Sequence, residues 1–297
     1  IHPRPGALDA EQIRLGPAAI SGQIGIGASG DDMLRIDGLK TLIEGGIQGK
    51  VMREPMMIVP GEQEDPEYRG ITIMPRDTFK ELSRLAAENG WRLGVHCSGD
   101  AAIDLLLDLW EEVDEKTPIA PLHWVLIHGL LALPEHFERI NTLGVRVACQ
   151  TAHVYTMGAS MLKWWGPERT HRAAPIRTFM QNGIRVGGGS DGYVCEWNPS
   201  TLMGFDVTRK SKWAGVLGRN EAINREETLI YHTINAALIS DDDDRQGSIE
   251  PGKLADLAVL SEDIMTCPAN SIKGIKVLMT MVGGERVYKA DNMKLLI

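Results

Sequence analysis

Three short apolar segments of this chain each end at a side chain that can bind a metal ion. The segments are Arg92-Leu-Gly-Val-His96, Trp124-Val-Leu-Ile-His128 and Ile184-Arg-Val-Gly-Gly-Gly-Ser-Asp191, and a glycine-containing turn follows each one. Such runs are typical of buried strands that end at a turn. In a parallel barrel, the residues at the carboxyl ends of the strands converge on one face. We therefore predict that the three terminal side chains lie close together.

The residue types at these strand ends indicate metal chemistry. Neutral imidazole and carboxylate are ligands for zinc and related divalent ions. An aspartate beside a metal-bound water can also accept its proton. Three unrelated core or helix-cap residues are the alternative, but three such strand ends in succession favour a metal site over it.

Amphipathic helices separate the strands. One helix is predicted from Arg76, with apolar residues on one face and Gly90 as its end. Asp100 is predicted to cap the next helix. The apolar stripe of that helix is Ile103, Leu106, Leu107, Trp110 and Val113. Further strand and helix patterns follow up to Asp191, and this alternation predicts a parallel α/β sheet.

The pattern changes near residue 240. Segments 254–260 and 277–282 have the composition of strands, and Gly283-Gly284 precedes residues 285–288 in a hairpin pattern. We predict a barrel domain over residues 1–240, including a lid or insertion near 196–220, and a small β portion over residues 241–297.

Composition limits the classes of partner. The 297 residues carry a net charge of −9 and no basic stripe, so nucleic acid and anionic membranes are not expected partners, and a small-molecule substrate fits better. The four cysteines are widely spaced without a CxxC motif, which suits a reducing cytoplasm. No run approaches the roughly 20 apolar residues of a membrane helix. We expect a cytoplasmic protein.

Several motifs, taken together, resemble one family. They are Gly38-Leu-Lys40, His96-Cys-Ser-Gly-Asp100-Ala-Ala-Ile-Asp104, Gly189-Ser-Asp191, Thr233-Ile-Asn-Ala-Ala237 and Gly247-Ser-Ile-Glu-Pro-Gly-Lys-Leu-Ala-Asp-Leu257. From about residue 29 to 288 the chain resembles the amidohydrolase superfamily, specifically its YtcJ-like amidohydrolase 3 group. The resemblance implies a metal-dependent hydrolase on a TIM (β/α)₈ barrel, with a flanking β-sandwich made from both chain ends.

The resemblance also implies roles for individual residues. Lys40 matches a lysine that can be carbamylated to bridge two metals, while His96 and His128 match the ligands on barrel strands five and six. Asp191 matches the strand-eight aspartate that binds metal and acts as the general base. One or two ions, Zn²⁺ or similar, are expected. Lys40 as an ion-paired lysine and His128 as a core histidine remain alternatives.

Three further residues are candidates for contact with substrate. His153 follows the strand predicted to end at Gln150, and a loop histidine without a role is its alternative. Trp164 and Tyr193 lie in segments that follow the last two barrel strands. Aromatic residues there could contact an apolar substituent of the substrate, or they could pack a lid onto the barrel.

One family motif is absent from this sequence. No His-x-His occurs in the 297 residues, although the family supplies that pair from its first barrel strand. The recognisable strands correspond to about strands four to eight. We consider a part of a longer enzyme, a subunit completed by another polypeptide, and a degenerate protein, in that order. A homo-oligomer, or completion by an N-terminal segment, is therefore expected.

The predicted activity is hydrolysis of a non-peptide C–N bond in an amide or cyclic amide. A metal-activated water would attack the carbonyl carbon. Asp191 would accept the proton of this water and transfer it to the leaving nitrogen. The alternative is a non-catalytic binding or regulatory protein that keeps the fold with an incomplete metal site. The metal content of the complete assembly discriminates between the two.

Overall fold

The computed structural model describes Ser29–Gly30 and residues 34–291. The chain divides into two compact units. Unit 1 comprises Ile1–Val147, Lys163–Gly166 and Gln181–Ile184, and unit 2 comprises Ala148–Leu162, Pro167–Met180 and Arg185–Ile297. The domain boundary near residue 240 stays a prediction.

Unit 1 contains a short antiparallel pair and three parallel strands. The strands are β1 (Ser29–Gly30), β2 (Arg35–Ile36), β3 (Gly38–Leu42), β4 (Arg92–Cys97) and β5 (Val125–His128). Strand β1 pairs with β2, and β4 lies between β3 and β5. In the parallel register, Leu42 is opposite His96, and Cys97 is opposite His128. Strands β4 and β5 thus finish side by side.

Alternation along β4 decides which way His96 faces. Leu93, Val95 and Cys97 are fully buried, whereas Arg92, Gly94 and His96 are only partly buried. Because successive side chains of a strand point to opposite faces, the apolar set anchors one face of β4 and leaves His96 on the other. The predicted strand ending at His96 is confirmed, with one further residue.

Three helices accompany the strands of unit 1. They are α1 (Arg76–Glu88), α2 (Asp100–Asp114) and α3 (Pro134–Thr142), and α2 packs against both others. All five residues of the predicted α2 stripe are buried, which confirms the helical period. Asp100 is not the cap, because Gly99 occupies that position. The Asp100 carboxylate instead accepts the backbone N–H of Arg53 at 2.9 Å and holds a neighbouring loop.

Strand β6 (Arg146–Ala148) and helix α4 (Ala152–Arg172) follow along the chain. Helix α4 is kinked at Gly166, whose φ is 81°, directly before Pro167. A proline lacks the N–H of a helical ladder and clashes with the preceding turn, which explains a kink at this point. Strand β6 ends at Ala148, two residues before Gln150, where the sequence predicted its end.

Unit 2 is mainly helical before its C-terminal sheet. Its elements are α5 (Ile176–Gln181), β7 (Val186–Gly187), α6 (Pro199–Thr208), α7 (Arg225–His232) and α8 (Ile234–Ile239). Strand β7 ends four residues before Asp191, earlier than predicted. A Cβ on Gly187 would lie 2.6 Å from the Asn235 carbonyl oxygen, so the chain needs glycine to pass close to α8. Helices α7 and α8 are separate because Thr233, which lies between them, has non-helical angles.

The C-terminal residues form an antiparallel sheet, as predicted. Strands β8 (Leu257–Leu260), β9 (Val277–Val282) and β10 (Glu285–Lys289) pair in the order β10-β9-β8. A 3₁₀ helix, Ala269–Gly274, lies between β8 and β9 and packs against α6. Among the described helices, none is both long and apolar enough to cross a membrane.

Candidate metal centre

Two histidines meet at the ends of β4 and β5. The Nε2 atom of His128 lies 2.9 Å from Nδ1 of His96, and the two rings are edge-to-face with centroids 4.6 Å apart. His128 is 2% exposed. Both residues lie at the carboxyl ends of adjacent parallel strands. The register pairs His128 with Cys97, and the positive φ of His128, 83°, takes it out of regular strand geometry at the point where it contacts His96.

A lysine and a glutamate complete this group, which we call the His96 cluster: His96, His128, Lys50 and Glu44. Lys50 Nζ lies 2.7 Å from His96 Nε2 and 3.6 Å from a Glu44 carboxylate oxygen. An ammonium group only donates, so His96 Nε2 accepts and the proton on Nδ1 is donated to His128 Nε2. The Gly45 carbonyl oxygen is farther from Nε2, at 3.2 Å.

Glu44 is fully buried and anchors the cluster to the backbone. Its carboxylate accepts the N–H groups of Val51 at 2.5 Å, Ser98 at 2.5 Å and Gly99 at 2.9 Å. Burial raises the pKa of Glu44, and the Lys50 charge and these three N–H groups oppose that rise. The carboxylate therefore ties the Lys50 segment to the turn that follows β4.

Two glycines allow the Lys50 segment to come so close. A Cβ on Gly70, whose φ is +101°, would lie 2.0 Å from the Lys50 carbonyl oxygen. A Cβ on Gly99 would lie 2.1 Å from the Val51 carbonyl oxygen. Any larger residue at either position would displace the backbone that carries Lys50.

A second pair of candidate ligands lies in unit 2. His153, near the start of α4, has Nδ1 3.2 Å from the Gln150 carbonyl oxygen and Nε2 3.2 Å from Oδ2 of Asp191. A carbonyl oxygen only accepts, so Nδ1 is the donor in the first contact and Nε2 faces the carboxylate. A proton or a cation between Nε2 and the carboxylate oxygen would stabilise the second contact.

The separation of His153 and Asp191 suits a zinc-type ion. Ligand atoms on a tetrahedral ion with bonds of about 2.0–2.1 Å lie about 3.3 Å apart. His153 Nε2 and Asp191 Oδ2 are 3.2 Å apart, which is close to this value. The 2.9 Å between His96 and His128 is instead a hydrogen-bond distance. The imidazole and carboxylate donors of unit 2 therefore fit the group that the resemblance implies.

His128 and Asp191 also share an unusual backbone conformation. Their φ angles are +83° and +50°. Aspartate tolerates the left-handed region better than most residues, whereas a histidine there is uncommon. Such conformations cluster at functional positions, because the surrounding structure must hold them in place.

The remaining predicted residues have different surroundings. Lys40 is exposed, and its register partner Gly94 lies two residues before His96. The lysine that the structure brings to His96 is Lys50. Trp164 is buried at 7% exposure, in contrast to Tyr193 at 92%.

The sequence contained a signal for Glu44 but none for Lys50. Glu44 follows an apolar strand and precedes Gly45-Gly46, which is the same pattern as in the three segments that predicted the site. Lys50 returns to His96 only after the 3₁₀ turn Ile47–Gly49, so no strand pattern identifies it.

Comparison with solved structures shows the fold. An uncharacterized metal-dependent hydrolase from Pyrococcus horikoshii OT3 aligns over 88% of this chain and 50% of its own, with a TM-score of 0.72 and 21% identity. The predicted fold class is confirmed: an α/β TIM-barrel hydrolase fold, with a small C-terminal β portion.

Sequence comparison gives the family. The model of the amidohydrolase family matches residues 9–288, and the chain belongs to this family. The N-substituted formamide deformylase of Arthrobacter pascens is 29% identical over 74% of this chain and 41% of its own length. The putative amidohydrolase YtcJ of Bacillus subtilis (strain 168) is 25% identical over 84% and 47%. The chain thus spans less than half the length of these curated relatives.

Proposed function

We propose that this chain carries the general base and metal ligands of a hydrolase that cleaves a non-peptide C–N bond in an amide or cyclic amide. Membership of the amidohydrolase family and the likeness to a protein named as a formamide deformylase support the reaction class. The observation that carries the proposal is the 3.2 Å contact of His153 Nε2 with Asp191 Oδ2, which brings an imidazole nitrogen and a carboxylate oxygen together.

The proposed ligands in unit 2 are His153 and Asp191, whose Nε2 and Oδ2 atoms lie at a separation that suits one metal ion. His128 stays a predicted ligand. Imidazole nitrogen and carboxylate oxygen suit Zn²⁺. When bound, such an ion polarises a carbonyl group and lowers the pKa of water toward about 7. His96 orients His128 through its Nδ1 proton, or joins it as a ligand. Lys40 stays a predicted ligand, since by register it shares a sheet face with His96.

Asp191 is the proposed general base. Its side chain is 32% exposed, so water and substrate can reach the carboxylate. The carboxylate accepts a proton from water as the water oxygen bonds to the carbonyl carbon. It then gives this proton to the leaving nitrogen as the C–N bond breaks, and the products are a carboxylic acid and an amine.

Two exposed aromatic residues follow Asp191 and are proposed to contact the substrate. The rings of Tyr193 and Trp197 lie 5.8 Å apart and are 92% and 64% exposed. Exposed aromatic side chains supply a large contact area for an apolar group. We therefore favour an amide with an apolar or aromatic substituent. The buried Trp164 acts through packing.

The test uses the full-length protein. Chelator-treated protein is titrated with Zn²⁺, bound metal is measured, and release of formate and amine from an N-substituted formamide is followed. We expect about one or two ions per chain and metal-dependent turnover. A folded protein that binds no metal and cleaves no amide would overturn the proposal and support the binding role.

A further inference from the structure

A cavity of about 530 Å³ lies in unit 2, between α6, the 3₁₀ helix Ala269–Gly274 and the segment 210–213. Its lining includes Lys210, Lys212 and Lys273 and no aspartate or glutamate. The volume is in the range of small-molecule sites, about 300–1,000 Å³. Neither His153 nor Asp191 lines the cavity, which is therefore a separate feature from the candidate metal ligands of unit 2.

The charge of this cavity is opposite to that of the chain. The sequence has a net charge of −9, with 40 acidic against 31 basic residues. Within the described residues, none of the three ammonium groups has a carboxylate as an ion-pair partner. Three unpaired positive charges around one volume repel each other, and an anion in that volume relieves the repulsion.

Hydrogen bonds hold two of these lysines in position. The segment that carries Lys210 and Lys212 forms a turn in which Ser211 N–H donates to the Gly215 carbonyl oxygen at 2.7 Å. The Lys212 N–H donates to the Tyr155 carbonyl oxygen at 3.0 Å and fastens the turn to α4. The backbone of this wall is thus fixed, and only the side chains need to order when a ligand binds.

The third lysine is placed by tight packing between α6 and the 3₁₀ helix. Its neighbour Ile272 is fully buried in an apolar cluster that includes Met203 and Val207 of α6. A Cβ on Gly204 would lie 3.0 Å from the Lys273 backbone nitrogen. Glycine at this position therefore permits the close approach that brings Lys273 to the cavity.

Aromatic side chains form the rest of the wall. Tyr155 and Phe205 pack edge-to-face with centroids 5.8 Å apart, and Lys212 Nζ lies 5.6 Å from the Trp213 ring. Trp213 is 74% exposed, so its ring has free surface for a ligand. We propose that this cavity binds a small organic anion that has an aromatic ring, with its phosphate or carboxylate on the lysines and its ring against Trp213.

The test measures binding of three probes to the full-length protein by calorimetry. Phenyl phosphate carries both the charge and the ring, inorganic phosphate carries only the charge, and benzyl alcohol carries only the ring. We expect saturable binding of one phenyl phosphate per chain, weaker binding of phosphate and none of benzyl alcohol. Added salt should weaken binding, because the lysines are exposed. Absence of saturable phenyl phosphate binding, or equal binding of benzyl alcohol, would overturn the proposal.

Variants assign the binding to this cavity. The triple variant K210Q/K212Q/K273Q should weaken phenyl phosphate binding at least tenfold, and K212Q alone should weaken it severalfold if the triple variant does not fold. Lys116→Gln removes one exposed charge elsewhere and should change nothing. Asp191→Asn should also leave the affinity unchanged. Equal weakening by Lys116→Gln would indicate non-specific attraction, and loss of binding in Asp191→Asn would assign the anion to the metal centre.

Discussion

The His96 cluster and the His153–Asp191 pair contain similar residue types, but their side chains differ in solvent exposure. In the cluster, the side chains of Lys50 and Glu44 are 3% and 0% exposed. In the pair, His153 is 7% exposed and Asp191 is 32% exposed. The cluster is fastened to backbone N–H groups, whereas the Asp191 carboxylate reaches solvent.

This difference separates two tasks. A buried carboxylate with three N–H donors is well suited to hold a fixed geometry, since moving it would leave several buried groups unpaired. A general base must reach water and substrate, so it needs an accessible oxygen. Changes at Lys50 or Glu44 should therefore act first on stability, and changes at Asp191 should act first on turnover.

The largest effect is expected for Asp191→Asn. The amide keeps the shape but removes the proton acceptor and an anionic ligand, so kcat should fall by about a thousandfold or more. The unfolding midpoint should change by only a few degrees, because the side chain is partly exposed. Amide hydrolysis and thermal unfolding check both. Asp77→Asn, an exposed aspartate in α1, is the matched control, and near-normal turnover of Asp191→Asn would assign the base elsewhere.

Glu44→Gln should have the largest effect on stability. The substitution removes the charge beside Lys50 and places an amide N–H₂ among the three N–H donors, which should cost about 3 kcal/mol of unfolding free energy. Denaturant unfolding measures this. Glu54→Gln, at a side chain that is 78% exposed, should change stability by less than about 0.5 kcal/mol. Similar values for the two variants would contradict the structural role given to Glu44.

Gly70→Ala tests the close approach that positions Lys50. The new Cβ would overlap the Lys50 carbonyl oxygen, and the residue would keep a positive φ, so we expect a loss of about 2 kcal/mol or more. Gly61→Ala is the control, because Gly61 also has a positive φ, +76°, but no atom within 4 Å of the added Cβ. The two effects should differ by at least about 1 kcal/mol in the same unfolding assay.

The smallest effect concerns the pH dependence of stability. His136 Nδ1 accepts the Leu133 N–H at 3.0 Å, so Nε2 carries the proton that is donated to Asp104 at 3.0 Å. Burial lowers the pKa of His136, although Asp104 opposes this shift. A histidine with a lowered folded-state pKa binds protons more readily when unfolded. Stability should fall by up to about 1 kcal/mol as the pH drops through about 6.5, the unfolded pKa, toward 5.

His136→Gln should flatten this part of the curve, which is measured by unfolding from pH 8 to pH 5. Asp104 affects the stability at lower pH than His136 does. Burial raises its pKa, but hydrogen bonds from Arg53 and His136 outweigh burial and lower it, so its contribution is present at neutral pH and lost only below about pH 4. An unchanged slope in His136→Gln would show that another group titrates.

Local sequence determined much of the fold. Alternating burial in β4 and the apolar stripe of α2 follow from the periods of strand and helix, and the structure confirms both. His96 and His128 were placed at neighbouring strand ends by the same pattern, and they are in contact. The local sequence pattern predicted strand ends less reliably where the backbone passes close to another element. An example is Gly187, which lies close to α8 and where β7 ends earlier than predicted.

Only the tertiary structure decided which other groups join these residues. Lys50 reaches His96 because Gly70 and Gly99 permit close contact between backbone segments. The sequence around these two glycines does not indicate that contact. Lys273 joins Lys210 and Lys212 from a segment about sixty residues later, since Ile272 buries itself against α6. Strand ends and helix faces depend on neighbours in sequence, and are therefore readable from it. Long-range contacts depend on packing among distant segments, and they are fixed only when the chain folds.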